Sequence, residues 1–248
     1  MNINKHINQN IMFLTFKIAN IFTTIDTRIN RSSLEQNDMI ENEFWNMISL
    51  LELVLAHNKL EEPQSIHNIS YFTEQIYKEV QLNYPKLNIS DEEIENVSKL
   101  ATIHDIGKLF TPYEILNKKG KLTKDEMDII KKHPLNGANM ALKLPKCGKA
   151  SKLVQYAYNI CLYHHERYDG QGYPKGLIGD EIPLCAQVVG LADAYDALIS
   201  ERPYKRKINH GEAVRMIVNG ECGSFSPKVI LSFIIASMNK TWIEKVSK

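Results

Sequence analysis

Histidine and aspartate side chains at several points of this 248-residue chain have the types and spacing that metal chemistry needs. His104 and Asp105 are adjacent and are followed by Gly107 and Lys108. Such a pair supplies one imidazole and one carboxylate, and a carboxylate can bridge two cations. The same residues would also fit a helix end that Gly107 caps, so the pair alone does not decide between a metal site and a structural one.

A second motif is more specific, because it joins a double histidine to a turn sequence. Residues 164–174 read His-His-Glu-Arg-Tyr-Asp-Gly-Gln-Gly-Tyr-Pro. Two consecutive histidines can ligate neighbouring metals only if the backbone presents both of them inward. Gly170, Gly172 and Pro174 are typical of a rigid turn, since glycine accepts a positive φ and proline restricts its neighbour. A plain loop would not easily combine this turn with a double histidine.

Further histidines and a further aspartate extend these motifs to a mixed ligand set. A set of imidazole and carboxylate without thiolate suits octahedral Mn or Fe better than structural zinc, and the four cysteines form no Cys-x-x-Cys pair. Two neighbouring cations can share a bridging hydroxide and clamp a phosphodiester for in-line attack. The candidate ligands are His67, His104, Asp105, His133, His164, His165 and Asp193.

Helices must position these side chains, because apolar residues recur at helical intervals almost throughout and no segment favours a strand. Ser90 and Thr123 each precede an acidic residue by three positions, which is typical of a helix start. A polar connection over residues 28–37 separates the first two predicted helices. The predicted helices are Ile11–Thr24, Ile40–Ala56, His67–Gln81, Ser90 to about Gly107, Thr123 through His133, Pro183–Ile199 and Pro227–Met238.

Charge and hydropathy exclude several classes of protein. The chain has 30 basic and 29 acidic side chains, a net charge of +1, which argues against bulk capture of polymeric nucleic acid or of an anionic membrane. The apolar stretch 11–22 is interrupted by Lys17 and Asn20 and is too short to span a bilayer. It also lacks the basic start and cleavage site of a signal peptide. We therefore expect a cytoplasmic protein without membrane insertion.

Taken together, the motifs resemble the HD-GYP family, a branch of the HD phosphohydrolase superfamily. The resemblance covers residues 62–240, and the stretches Pro112–Thr123 and Leu191–Lys205 agree with it. It implies an all-α HD-domain helical bundle at 62–248, preceded by an N-terminal helical segment at 1–61 of unknown role. It also implies a phosphodiesterase that uses a metal-bridging hydroxide to open cyclic di-GMP to pGpG, and in some members to cut this on to GMP.

The resemblance also implies a role for each motif residue. His67 and His104 would bind one metal with Asp193 on the same side, and Asp105 would bridge to the second metal. That second metal would be held by the remaining three histidines of the set. Lys108 would lie near the scissile phosphate, as a charge-stabilising and catalytic group. The positions that would contact the dinucleotide are Tyr173, Arg202 and Lys205.

One departure from the family concerns the number of metals. Some members hold a third metal with a glutamate one helical turn before the first histidine, and here that position is Pro63. We therefore expect two divalent ions, Fe or Mn, and not three.

Other functions stay open at this point. The chain could be a non-catalytic cyclic di-GMP receptor that signals to a partner protein, or an HD phosphohydrolase with another nucleotide substrate such as cyclic GMP-AMP. No motif position discriminates guanine from adenine. The N-terminal helices could pack on the catalytic core, form a homodimer or bind a signalling partner.

Overall fold

The computed structural model describes residues 33–58, 60, 62–146, 148–201 and 207–246. Within these ranges the regular structure is helical, and the extended pairing is one isolated antiparallel bridge between Asp169 and Ile178. The predicted all-α fold is therefore confirmed for the described part of the chain. None of its helices is both long and apolar enough to cross a membrane. The α-helices are α1 (Ser33–His57), α2 (Pro63–Asn83), α3 (Asp91–Leu100), α4 (Tyr113–Leu116), α5 (Lys124–Ile130), α6 (His133–Ala141), α7 (Lys149–Tyr163), α8 (Leu184–Ile199), α9 (His210–Val218), α10 (Pro227–Ser237) and α11 (Lys240–Val246).

Helix α2 packs against α3, α8 and α10. Its buried residues Ile69, Phe72, Ile76 and Val80 recur at helical spacing and form one apolar face. The helix begins at Pro63, four residues before the predicted start at His67, because proline is well suited to a first turn whose N–H groups have no partner within the helix. It ends at Asn83, two residues beyond the predicted end at Gln81.

The rotation of α8 is set by the buried Tyr195. Its ring meets Phe72 of α2 edge to face, with 5.0 Å between the ring centroids. Its hydroxyl accepts a hydrogen bond from Trp242 Nε1 at 3.0 Å and lies 2.7 Å from His210 Nδ1. Since Asp193 is on the same helix, this packing also determines where that carboxylate lies.

Helix α1 shares its core with the rest of the described chain. Phe44, Ile48, Leu51 and Leu55 are buried in that core, and α1 packs against α7. Ser33–Asn37, which the sequence predicts as part of a polar connection, belong to α1. The prediction misses them because apolar periodicity marks only those turns of a helix that pack against a core. The predicted helix Ile11–Thr24 lies outside the described residues. The division between residues 61 and 62, and any pairing of the N-terminal helices, stay predictions.

The sequence predicts one continuous helix from Ser90 to about Gly107, but the structure breaks it before His104. Helix α3 ends at Leu100 and is followed by two 3₁₀ turns, Ala101–Ile103 and Ile106–Phe110. The predicted start is confirmed, because the Glu93 N–H donates to Ser90 Oγ at 3.1 Å. The tighter turns beyond Leu100 place His104 and its neighbour at a corner of the chain.

The helix that begins after Thr123 is also shorter than predicted. The capping box is confirmed, since Glu126 N–H donates to Thr123 Oγ1 at 3.2 Å and Thr123 N–H donates to Glu126 Oε2 at 2.7 Å. However, α5 ends at Ile130 and α6 begins at His133. A continuous helix would bring the ring of Pro134 against the carbonyl of Ile130, so the chain breaks between them.

Helix α7 is absent from the predicted elements, although its buried residues Leu153, Ala157 and Ile160 have helical spacing. It packs against α6 and α8 and ends at Tyr163. The double histidine follows directly, so α7 is the element that delivers it.

We expect Gly190→Ala to lower the free energy of unfolding by about 2 kcal/mol, as overpacked substitutions do. Helix propensity alone would favour alanine by about 1 kcal/mol. However, a Cβ at Gly190 in α8 would lie 2.3 Å from the His164 carbonyl oxygen. Urea unfolding measures the difference. Gly211→Ala in α9 is the matched control, because its Cβ would meet only Asn209 Oδ1, at 3.8 Å. Equal stabilisation by both substitutions would contradict the close approach of α8 to His164.

Candidate metal centre

His104 and Asp105 are buried at the corner between the two 3₁₀ turns. His104 Nδ1 lies 2.9 Å from the Ala101 carbonyl oxygen, which orients the ring. Gly107 follows, and a Cβ there would lie 1.9 Å from the His133 carbonyl oxygen. Only glycine therefore lets this corner approach the start of α6, where His133 stands.

The double histidine is delivered by the end of α7. His164 is the first residue after the helix, and its Nδ1 lies 3.0 Å from the carbonyl oxygens of both Ile160 and Cys161. The ring centroid of His165 lies 4.1 Å from that of His164 and 5.0 Å from that of His133. Both consecutive imidazoles therefore face the same centre.

A group of four residues could hold a metal ion. Asp105, His133, His164 and His165 each offer one ligand atom, and these atoms lie within 4.8 Å of one another. Asp105 Oδ1 lies 3.0 Å from His133 Nε2 and 3.7 Å from His164 Nε2. The other oxygen, Oδ2, lies 3.3 Å from His104 Nε2. The carboxylate of Asp105 thus lies between the imidazole of His104 and those of His133 and His164.

The Oδ2 side of Asp105 carries further charged groups. His104 Nε2 is also 3.7 Å from Asp193 Oδ1 on α8. Lys108 Nζ donates to Asp105 Oδ2. The two sides of Asp105 therefore differ. Oδ1 faces two imidazoles, whereas Oδ2 faces one imidazole, which also faces a second carboxylate, and an ammonium group.

Backbone carbonyls determine which nitrogen of each imidazole faces the centre. His133 Nδ1 lies 2.8 Å from the Ile130 carbonyl oxygen, and His104 and His164 have equivalent contacts. A carbonyl only accepts, so each Nδ1 carries a hydrogen, and when the ring is neutral its Nε2 has the lone pair that a metal can take. The Nε2 atoms of His133 and His164 are 3.4 Å apart. Two lone pairs at that distance repel each other unless a cation or proton lies between them.

The donor set fits a divalent metal ion. His104 Nε2 and Asp105 Oδ1 are buried and have no hydrogen-bond partner within the described residues. His133 Nε2 is close to that oxygen but carries no hydrogen when Nδ1 is the donor. Buried polar atoms without partners are costly, and metal ligation would satisfy both. Imidazole and carboxylate together are ligands for divalent transition metals.

Electrostatics keep two of the imidazoles neutral, as ligation requires. Burial lowers the pKa of His164 and, with the neighbouring His164 ring, holds the pKa of His165 well below its ordinary value. Burial acts in the same direction on His104, but Asp105 and Asp193 outweigh it and raise its pKa well above the ordinary value. Burial opposes ionisation of Asp105, yet Lys108 and the adjacent imidazoles hold its pKa well below its usual range.

The structure brings together most of the predicted ligands, but not His67. Its imidazole is exposed on α2, and it is not one of the four residues that share the 4.8 Å group. Its role as a ligand therefore stays a prediction. Pro63 is the first residue of α2. Arg202 and Lys205 lie outside the described residues.

The ring of Tyr173 lies beside the candidate metal ligands. It stacks on His165 with 4.7 Å between centroids, and Lys131 Nζ lies 5.3 Å from the centre of the Tyr173 ring. Burial raises the pKa of Tyr173, so its hydroxyl stays protonated at neutral pH. A flat, neutral aromatic group thus lies next to the ligand imidazoles.

Glu166 is the residue of this region that the sequence analysis does not identify. Its buried carboxylate accepts hydrogen bonds from the Lys175 N–H at 2.7 Å and the Leu177 N–H at 3.0 Å. These bonds close the loop that carries Tyr173 back onto the double histidine. An acidic residue directly after a double histidine is the sequence signal that could have indicated an anchor.

An open cleft of about 630 Å³ lies beside this loop but is not the metal cluster. Arg167, Asp169 and Gln171 line it together with residues of α9, α10 and the turn between them. The four clustered ligands are not among its lining residues. The candidate metal ligands therefore lie outside this cleft.

Comparison with known proteins identifies the family. The HD domain family matches residues 52–229, so the chain belongs to that family. Within it, the motifs and the curated relatives place the chain in the HD-GYP group. A probable cyclic di-GMP phosphodiesterase of Vibrio cholerae is 44% identical over 152 residues, which cover 61% of this chain and 34% of the relative. A cyclic di-GMP phosphodiesterase of Pseudomonas aeruginosa is 42% identical over 61% of this chain and 35% of its own length.

The chain thus spans about a third of the length of these curated relatives. Among solved structures, a cyclic GMP-AMP specific phosphodiesterase of V. cholerae has a TM-score of 0.51. That match covers 83% of this chain and 51% of the other, with 17% sequence identity. At this identity the likeness concerns the fold alone, and it agrees with an all-α HD bundle.

We expect metal binding at neutral pH to release about one proton per chain, because ligands must lose their protons. The proton comes from His104, whose pKa is raised above its ordinary value in the metal-free protein. Since proton and metal compete, the affinity for Mn²⁺ should rise with pH until the raised pKa is passed. Calorimetry in two buffers of different ionisation enthalpy measures the release. His57→Ala, at an exposed histidine, should not alter it. Identical heats in both buffers would contradict the expectation.

We expect Glu166→Gln to lower the free energy of unfolding by about 1–3 kcal/mol, the cost of an unsatisfied buried group. Glutamine offers one acceptor where two backbone N–H groups of the loop need one each. Glu181→Gln is the matched control, because its exposed carboxylate accepts a single N–H of the same loop, from Ile178. Its effect should stay within about 0.5 kcal/mol. Equal losses in urea unfolding would show that Glu166 is not an anchor.

Proposed function

We propose that this chain hydrolyses cyclic di-GMP at a two-metal centre. The observation that carries the proposal is the position of Asp105, one carboxylate oxygen of which faces two imidazoles while the other faces a third. The names of the curated relatives support the substrate class. The choice of cyclic di-GMP as the substrate rests on the resemblance to the HD-GYP family.

Two divalent ions, Fe or Mn, would be held on the two sides of Asp105. His133, His164 and His165 would bind on the Oδ1 side, and His104 and Asp193 on the Oδ2 side together with His67. When bound, such ions activate a water molecule as the nucleophile and offset the charge on the phosphate. A third ion is not proposed, because Pro63 begins α2 where some family members have a glutamate.

The remaining residues would bind the substrate and stabilise charge. Lys108 donates to Asp105, so its ammonium group would lie beside the reacting phosphate, where it would stabilise charge and protonate the leaving oxygen. Tyr173, whose ring lies against His165, would contact the bound dinucleotide. Arg202 and Lys205 would add cations for the phosphates, with the planar fork of arginine suited to two oxygens.

The reaction conserves both phosphates of the substrate. Water attacks one phosphorus, the bond from that phosphorus to the 3′ oxygen breaks, and the oxygen leaves as a hydroxyl group. Opening one diester of cyclic di-GMP gives linear pGpG. A second hydrolysis of the remaining internal diester would give GMP.

The test begins with anaerobic purification, metal analysis and incubation with cyclic di-GMP, followed by chromatography of the products. We expect about two Fe or Mn per chain and formation of pGpG or GMP, in keeping with two-metal hydrolases. His133→Ala should lower the metal content per chain and abolish hydrolysis. Lys108→Met should keep the metals but reduce kcat about 100-fold, as loss of one charge-stabilising donor does.

Lys78→Met is the matched control for charge, because Lys78 is an exposed cation paired with Glu74 on α2. Its kcat should equal that of the unmodified protein. Loaded protein that binds cyclic di-GMP but leaves every cyclic dinucleotide intact would overturn the catalytic proposal in favour of a receptor. Faster opening of cyclic GMP-AMP than of cyclic di-GMP would instead overturn the substrate assignment.

A further inference from the structure

A second aspartate of α8, Asp196, is fully buried three residues after Asp193. Its carboxylate accepts hydrogen bonds from Ser65 Oγ, from Asn68 Nδ2 at 2.8 Å and from Ser200 Oγ at 3.1 Å. Two of these donors are on α2, whereas Ser200 directly follows α8. Asp196 therefore links the start of α2 to the end of α8.

The chemistry of this link is unusual for a purely structural contact. Burying a carboxylate is costly unless it is well hydrogen-bonded, and the donors described for Asp196 are all neutral. An apolar pair at this contact would avoid that cost. Hydrogen bonds, however, are directional, whereas apolar packing is not. A satisfied buried network of this kind fixes one arrangement of the elements that it joins.

The position of the link is as informative as its chemistry. Ser65 and Asn68 lie on either side of His67 in the first two turns of α2. The preceding Glu62 makes no side-chain cap hydrogen bond to this helix. The start of α2 thus lacks the usual local anchor, and the bonds to Asp196 hold it to the helix that carries Asp193.

We propose that Asp196 is a positioning residue that sets the rotation of the first turns of α2 against α8, so that His67 and Asp193 serve the same metal ion. This inference rests on the proposed function, since it concerns two of its ligands. Asp196 does not contact the metal or substrate and acts through His67.

The test compares two hydroxyl deletions at the same carboxylate. Ser65→Ala removes a donor on α2, and Ser200→Ala removes a donor at the end of α8. The full chain is titrated with Mn²⁺ by calorimetry, and urea unfolding reports the stability of each variant. We expect Ser65→Ala to weaken one of the two Mn²⁺ sites about tenfold or more, as loss of an orienting partner does. Ser200→Ala should leave both affinities unchanged.

A thermodynamic cycle separates positioning from general destabilisation. If Asp196 acts through His67, Ser65→Ala should have no further effect on Mn²⁺ affinity in a His67→Ala background. An equal loss in both backgrounds, or a loss no larger than that of Ser200→Ala, would overturn the inference. Asn68→Ala tests the same link if Ser65→Ala does not fold.

The outcomes also separate this inference from the proposed function. Unmodified protein that binds two Mn²⁺ and opens cyclic di-GMP, with variants indistinguishable from it, would refute the positioning role alone. Protein that binds Mn²⁺ without hydrolysis would refute the catalytic proposal, while the titrations still decide the role of Asp196. Absence of Mn²⁺ binding would refute both.

Discussion

A buried carboxylate must have its charge compensated, and the position of Asp105 shows how this chain meets that constraint. The side chain is nearly inaccessible to water, yet its pKa is held low by Lys108 and by imidazoles on both sides. Compensation requires that the corner at His104, the end of α7 and the start of α6 converge at one point. The absence of a Cβ at Gly107 and Gly190 allows the backbones to approach closely enough for this.

The surrounding architecture follows from that convergence. The two consecutive imidazoles follow directly after the end of α7. Asp193 lies on α8, and the packing of Tyr195 determines how that helix is rotated. The loop beyond His165 is returned to the centre by Glu166, which accepts two of its N–H groups. Helix α8 and this loop are thus positioned by contacts made outside the ligand set, which helps to make such a site rigid.

Sequence reasoning succeeded where the relevant chemistry is local. The caps at Ser90 and Thr123 depend on residues three positions away, and both are confirmed. The helix breaks after Leu100 and Ile130 were not predicted, because close backbone packing and a proline clash override the apolar period. The anchor role of Glu166 depends on N–H groups far along the chain, and residue types alone do not show such partners. His67 is on the predicted helix and its ring is exposed, so its role as a ligand stays a prediction.

The hydrogen bonds that orient His104, His133 and His164 all end on main-chain carbonyl oxygens. No amino-acid replacement deletes a carbonyl, so this orienting layer is insensitive to most point mutations. During evolution, the side chains around the ligands can therefore change while the tautomer of each imidazole is preserved. Redesign of metal preference in this centre must therefore act on the ligating atoms or on the helix ends, since the orienting layer offers no side chain to exchange.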